Sequence, residues 1–184
     1  MMIDWKLTAW GVMIKDNHMA RRKNMEVGKR TNAGVYRIKV ALRHVKPPAW
    51  RRVEVLGDIK LGGLHEILQI IMGWTDSHLH GFRIGRESYS VPDSNFPSDF
   101  KNERTVRLGK IAGEGETLIY DYDFGDRWEH DLKIEKIFPV EQGVHYPRCT
   151  KGKRACPPED CGGPWGYAEL LKAIKNPRHE ELLE

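Results

Sequence analysis

The sequence predicts an α+β domain with a mostly antiparallel or mixed β-sheet, on which one central helix and one or two C-terminal helices pack. Two observations lead to this fold class. Apolar and polar residues alternate with period two in several short segments, which is typical of half-buried strands. Only one helical pattern separates the early strands, whereas a doubly wound parallel sheet places helices between successive strands. The pattern does not decide whether the sheet is open or barrel-like.

The first two strands are marked by alternation and by the residues that interrupt it. Ordered structure is predicted to begin at Gly34, and residues 35–42 alternate between apolar and polar side chains. The sequence Lys46-Pro47-Pro48 stops this strand. Residues 50–56 predict a second strand, which pairs with the first across a hairpin-like turn.

A helix is predicted over residues 61–72, where apolar residues recur at helical spacing. The apolar stripe consists of Leu61, Leu64, Ile67, Leu68 and Ile71. Gly73 fits the stop signal of a helix C-terminus. Further strands are predicted over residues 79–84, 88–91, 105–111, 117–123 and 127–138, with a polar loop over residues 92–104. The last strand is the clearest, because its two faces separate cleanly into apolar and charged residues.

The C-terminal part of the chain is predicted to consist of a long loop and helices. Residues 139–164 are rich in glycine and proline, which favours a loop. A structureless loop of this length is unusual unless it is functional or tied internally. Residues 165–174 predict a helix, Asn176-Pro177 breaks it, and a further helix is expected from residue 179.

Composition excludes several classes of protein. The chain has 184 residues, of which 40% are hydrophobic and 30% charged, and this is ordinary for one globular domain. The longest apolar stretch, residues 67–74, falls far short of the roughly 18 residues that a transmembrane helix needs. The N-terminus lacks the order of a signal peptide. We therefore expect a cytoplasmic protein with no membrane partner.

Residues 1–33 are predicted to form a basic, poorly ordered leader. Its basic residues include Arg21, Arg22, Lys23, Lys29 and Arg30. Such a cluster can contact the phosphates of a nucleic acid. The alternative is a solvated leader, or a stretch that precedes the true translation start.

Three cysteines, Cys149, Cys156 and Cys161, lie within 13 residues of the long loop. An odd number of cysteines in a chain of this kind argues against a disulfide scaffold. Thiolates suit zinc, and a structural zinc site needs four ligands. The fourth would be His130 or His145. The alternatives are that the cysteines are small buried residues that pack the loop, or that they form a redox site.

A second candidate metal site combines His78 and His80 with His130. Two histidines at positions i and i+2 of a strand point to the same side, where they could hold a catalytic metal with an open position. Carboxylates lie nearby in the sequence at Asp121, Asp123 and Asp126. The alternative is that these are core histidines, hydrogen-bonded to carboxylates or to the backbone. The three aspartates are better explained by a turn around Gly125 than by a calcium loop.

Four segments carry a resemblance to a known family. They are Met72-Gly73-Trp74, residues 78–82, residues 120–130 and residues 155–163. Together they resemble the Ri-plasmid ORF-three-like family, whose relatives are also labelled transposon-passenger TnpR-like proteins. The resemblance covers residues 34–184. It implies an α+β fold and a link to mobile genetic elements, and it implies no activity.

The preferred hypothesis is a non-enzymatic binding module whose cysteine-containing loop is tied down, in one version by zinc. Its partner would be a nucleic acid bound through the basic leader, or a protein bound through a sheet edge. The alternative is a metal-dependent hydrolase that uses His78, His80 and His130.

Overall fold

The computed structural model describes residues 34–92 and 99–176. The predicted basic leader, with its arginines and lysines, lies outside the described residues. The same holds for the helix expected from residue 179. Predictions about these two segments stay predictions.

Within the described residues, eight strands form one sheet. They are β1 (Val35–Leu42), β2 (Trp50–Leu56), β3 (His80–Ile84), β4 (Glu87–Ser90), β5 (Lys101–Asn102), β6 (Thr117–Tyr122), β7 (Trp128–Phe138) and β8 (Arg148–Lys153). Their spatial order is β5-β4-β3-β6-β7-β1-β2-β8. All neighbours are antiparallel except β4 and β5. The mixed sheet confirms the predicted fold class. The two end strands of this order, β5 and β8, do not pair with each other. The sheet is therefore open, and the barrel-like alternative is wrong.

In this part of the chain, two α-helices accompany the sheet, at the places that the apolar stripes predict. Helix α1 spans Leu61–Met72, and Gly73 follows it with a φ of 79°, which is the left-handed conformation of a glycine C-cap. Helix α2 spans Gly163–Lys175. No helix within the described residues is long and apolar enough to cross a bilayer.

The core joins the apolar stripe of α1 to one face of the sheet. Alternate residues of the central strands, such as Ile38 on β1 and Leu132 on β7, are fully buried and belong to one cluster with Leu64 and Leu68 of α1. This follows from the period of two along a strand, which sends every second side chain to the same face. Polar side chains on the side of α1 that faces the sheet are therefore buried together with the apolar stripe, as His65 and Gln69 are.

The strand predicted over residues 105–111 is wrong. The segment forms two short 3₁₀ turns, Glu103–Thr105 and Leu108–Lys110. Its backbone bonds to the start of α1 and to the chain just before it, since the carbonyl of Val106 accepts from the amide of Leu61 at 3.0 Å. The apolar residues that suggested a strand are used to bury this segment against α1, and Leu108 is fully buried.

Strand β8 lies inside the segment predicted as a continuous loop. It pairs antiparallel with β2, with a register shift between Arg52 and Val53. Its sequence is polar and contains Gly152, so no alternation of apolar residues indicates it. Only the pairing with β2 makes it a strand. Lys151 and Lys153 are exposed along this edge, and lysines on an edge strand disfavour the addition of a partner strand.

Candidate functional site

A cleft of about 380 Å³ opens beside the first turns of α1. Its polar wall carries His65, Asp76, His80 and Glu103. These side chains come from α1, from the loop after it, from β3 and from the first 3₁₀ turn. Four separate segments of the chain thus converge on one place.

The two histidines are buried and stacked. His65 lies on the inner side of α1, one residue after Leu64, and His80 is the first residue of β3. Both side chains are less than a tenth exposed. Their ring centroids lie 3.4 Å apart and the rings are parallel to within 3°. Helix α1 and strand β3 therefore present their imidazoles to each other at van der Waals distance.

Each imidazole is paired with a carboxylate. His65 Nε2 lies 2.8 Å from Asp76 Oδ1, and His80 Nε2 lies 3.0 Å from Glu103 Oε2. The Glu103 side chain is 2% exposed, whereas that of Asp76 is 59% exposed. Asp76 therefore faces the solvent side of the cleft, and Glu103 lies at its floor.

Tyr120 and Gln69 determine the tautomer of His65. Gln69 Nε2 donates to the hydroxyl oxygen of Tyr120 at 3.0 Å, so the hydroxyl hydrogen is free to be donated to His65 Nδ1 at 2.8 Å. His65 Nε2 then carries the proton that is donated to Asp76. Burial lowers the pKa of His65, and the neighbouring His80 acts in the same direction. Burial also raises the pKa of Tyr120, so its hydroxyl stays protonated.

The donor set suits a divalent transition metal. One ligand atom from each of His65, Asp76 and His80 lies within 4.8 Å of the others. Imidazole nitrogens and carboxylate oxygens are common zinc ligands. An ion would replace the hydrogen bond between His65 Nε2 and Asp76 Oδ1, which are 2.8 Å apart. The His65 proton would move to Nδ1, where Tyr120 can accept it.

The three histidines predicted as one metal site are not brought together. His80 lies in the cleft, while His78 lies next to Asp123 and Asp160. Strand β3 begins only at His80, so the alternation that would align His78 with it does not apply. His130 is fully buried on β7, with Nδ1 3.3 Å from the carbonyl oxygen of Tyr120. Burial lowers the pKa of His130 to about 4.

The cysteines do not form a group of potential metal ligands within the described residues. In the part of the chain that the structure describes, no cysteine belongs to a group of three potential ligand atoms within 4.8 Å of one another, and neither His130 nor His145 joins such a group. Cys156 Sγ accepts from Arg51 Nη2 at 3.1 Å and lies 3.5 Å from Met72 Sδ. Burial raises the thiol pKa values of Cys149, Cys156 and Cys161. These contacts match the packing alternative, and zinc binding by these thiols stays a prediction.

Residues 154–162, which we call the cysteine loop, are fastened to the sheet by hydrogen bonds. Glu159 accepts from the amide and the hydroxyl of Thr75, at 3.1 and 2.5 Å, and from the hydroxyl of Tyr122. Trp74 Nε1 donates to the carbonyl of Pro157 at 3.0 Å. Within the described residues, the cysteine loop is thus held by Glu159, by Cys156, which accepts from Arg51, and by its backbone, which bonds to Arg51, Trp74 and Asp126.

Sequence reasoning missed three of the four cleft residues: His65, Asp76 and Glu103. A usable signal existed for His65, because a histidine within the apolar stripe of α1 must be buried with a partner. No signal existed for Glu103, which lies in a polar segment. Asp76 is marked only by its φ of 60°, which the sequence does not show.

The comparisons with known proteins agree with this fold. A family model described as plasmid pRiA4b ORF-3-like protein matches residues 34–184. An uncharacterised protein, y4hQ of Sinorhizobium fredii, is 44% identical over 154 residues, which is 83% of this chain and 79% of that protein. A crystal structure of the protein of unknown function MM3350 from Methanosarcina mazei is 35% identical, with a TM-score of 0.76, and the match covers 82% of this chain and 86% of that one. The predicted family is confirmed: the chain belongs to the plasmid pRiA4b ORF-3-like family.

Proposed function

We propose that this protein is a metal-dependent hydrolase that binds zinc, or a similar divalent transition metal, through His65, Asp76 and His80. The observation that supports this most directly is the convergence of two buried imidazoles and two carboxylates on the wall of one solvent-open cleft. Two histidines and a carboxylate, with a fourth position left for water, are a ligand set of catalytic zinc sites.

The burial of Glu103 adds to the argument. Burying a carboxylate costs several kcal/mol unless it is paired. Within the described residues, the hydrogen-bond partner of the Glu103 carboxylate is His80. A divalent ion at the cleft would offset the charge of this carboxylate and that of Asp76. A bound metal lowers the pKa of its water to about 7, and Glu103 would be the buried carboxylate nearest to His80 that could take up the proton.

The rim of the cleft carries both charge signs. Lys60 and Arg104 line the cleft and are exposed, and neither forms an ion pair with a described residue. Glu66 and Asp76 line the same cleft and are also exposed. The two cations could pair with the negative charge of a phosphate ester or a carboxylate ester that reaches the proposed metal.

A non-enzymatic binding module is the second candidate. It is favoured by the hydrogen bonding of the cleft, since both nitrogens of His65 and Nε2 of His80 have partners within the protein and require no ion. In this reading the stacked pair is a polar part of the core, and the partner would bind elsewhere.

Zinc titration of metal-free protein separates the two candidates. Asp76→Asn is the sharpest variant, because asparagine keeps an oxygen that can accept from His65 Nε2 but removes the charge of the carboxylate ligand. We expect it to lose one zinc equivalent and the metal-dependent hydrolysis of nitrophenyl phosphate or acetate. His145→Ala and Cys156→Ser are the controls and should keep both. Zinc retained in Asp76→Asn but lost in Cys156→Ser would contradict the proposal and support the thiol site. Bound zinc without hydrolysis in the wild type would support a binding module.

A further inference from the structure

A second cluster of potential ligands lies away from the residues of the cleft wall. His78 belongs to the loop before β3, Asp123 follows β6 and Asp160 belongs to the cysteine loop. His78 Nε2 lies 3.0 Å from Asp160 Oδ1 and 3.8 Å from Asp123 Oδ2. One ligand atom from each of the three residues lies within 4.8 Å of the others. The cluster thus connects the cysteine loop to two segments at the end of the sheet.

Among the described residues, Nε2 of His78 has no hydrogen-bond partner despite these close oxygens. The atom is shielded from solvent, although 29% of the side chain is exposed, and its contacts with the two carboxylates lack hydrogen-bond geometry. A polar atom that is removed from water and left unpaired is unfavourable for the folded state. A cation held between the nitrogen and the two carboxylates would remove this cost, because a neutral imidazole offers a lone pair to a metal.

Asp123 is held in position for such a role. Its residue is only 9% exposed. Oδ1 accepts from the amides of Gly125 and Asp126, at 3.0 and 3.2 Å, which fixes the orientation of the carboxylate. Oδ2 is left towards His78 and accepts no hydrogen bond from a described residue. One oxygen is therefore used by the turn, and the other is available to an ion.

We propose that His78, Asp123 and Asp160 bind a divalent transition metal, such as Zn²⁺ or Mn²⁺, that fastens the cysteine loop to the sheet. One imidazole and two carboxylates suit these ions, and the two negative charges balance a divalent ion. The cysteine loop would then be tied by a metal, as the sequence suggests, but through Asp160 and not through its neighbour Cys161. The proposal is independent of the metal in the cleft, because the two sites share no ligand.

Asp160→Asn tests this site, with Cys161→Ser as the matched control one residue away. The Asp160 side chain is 74% exposed, so its substitution should leave the fold intact. We measure zinc equivalents per chain by calorimetry, and the rate at which trypsin cleaves after Lys153 and Arg154, with and without zinc. The wild type should lose trypsin sensitivity when zinc is added. Asp160→Asn should lose one zinc equivalent and all of this protection, whereas Cys161→Ser should keep both.

The variant Asp76→Asn distinguishes this site from the cleft. It should lose a different zinc equivalent and keep the protection of the cysteine loop. Three outcomes would overturn the proposal: Asp160→Asn binds as much zinc as the wild type, zinc protects Asp160→Asn as well as the wild type, or the protection disappears in Cys161→Ser. If the cleft does not bind zinc but the second site does, Asp76→Asn will bind as much zinc as the wild type, whereas Asp160→Asn will still lose one zinc equivalent.

Discussion

The cleft and the cysteine loop differ in how their reactive side chains are arranged. The cysteines lie close together in the sequence, but within the described residues no thiol belongs to a group of three potential ligand atoms within 4.8 Å of one another. The cleft residues are far apart in the sequence, and they meet in space within hydrogen-bonding distance. Spacing along the chain is thus a poor guide to a site in this fold. The residues of a site are determined by which side chains the helix and the sheet bury against each other.

The largest effect is expected for Glu103→Ala, which would break the buried pair at the floor of the cleft. The substitution leaves His80 buried without its carboxylate. Removal of one partner of a buried pair is strongly destabilising, and we expect a loss of about 3 kcal/mol in the free energy of unfolding. Urea unfolding measures it. Glu66→Ala is the control, because Glu66 lines the same cleft but is exposed. It should change the free energy of unfolding by less than about 0.5 kcal/mol. Equal effects of the two variants would show that the cleft carries no special pairing.

A smaller loss is expected for Glu159→Ala, which would release the cysteine loop. Glu159 accepts three hydrogen bonds as a charged group, but it is only half-buried, so we expect a loss of about 2 kcal/mol. Hydrogen exchange should accelerate in residues 154–162 and stay unchanged in α1. Glu159→Gln keeps one carbonyl acceptor, so its stability and its exchange rate should lie between those of the wild type and Glu159→Ala. Unchanged exchange in the loop would mean that other contacts hold it.

His130 sharpens the comparison, because the sequence makes it a candidate ligand both beside the cysteines and beside His78 and His80, and the structure places it neither in the cleft nor in the cysteine loop. Burial lowers its pKa to about 4, against 6.5 for a free histidine. The unfolded chain therefore takes up a proton below pH 6.5 that the folded chain takes up only near pH 4. Stability from this residue is complete above pH 6.5 and is lost as the pH falls towards 4.

We expect this residue to account for about 2 kcal/mol of the stability lost between pH 7 and pH 5. Urea unfolding of the wild type and of His130→Asn at both pH values measures the difference, since asparagine can still donate to the carbonyl of Tyr120. An identical pH dependence in the two proteins would show that His130 does not titrate as a buried neutral group.

The smallest effect concerns the cysteines at neutral pH. Because burial raises their pKa values, the thiols should react slowly with a disulfide reagent at pH 7. The rate should rise about tenfold for each pH unit up to pH 9, as the thiolate fraction grows. A thiolate already bound to zinc is deprotonated outright and would not show this dependence. Flat labelling rates across this range would therefore support the thiol site.

Much of the fold could be predicted because it depends on short-range patterns. The alternation along β7 and the stripe of α1 each arise within about ten residues, and Gly73 ends its helix by its own conformational freedom. The failures have the opposite origin. Strand β8 exists because β2 pairs with it, and the turns around Leu108 exist because the start of α1 accepts that segment. Neither contact leaves a local trace in the sequence.

The sequence by itself determined the family, the fold class and the helix on which the cleft depends, since these follow from local periodicity and from motifs that are contiguous in the chain. Only the tertiary structure decided which polar residues meet. His80 contacts Glu103, which lies 23 residues away in the sequence, and His65 contacts Tyr120, which lies 55 residues away. Such pairs are selected by the burial of apolar surface around them, because a buried imidazole must have a partner and takes the one that packing brings within reach.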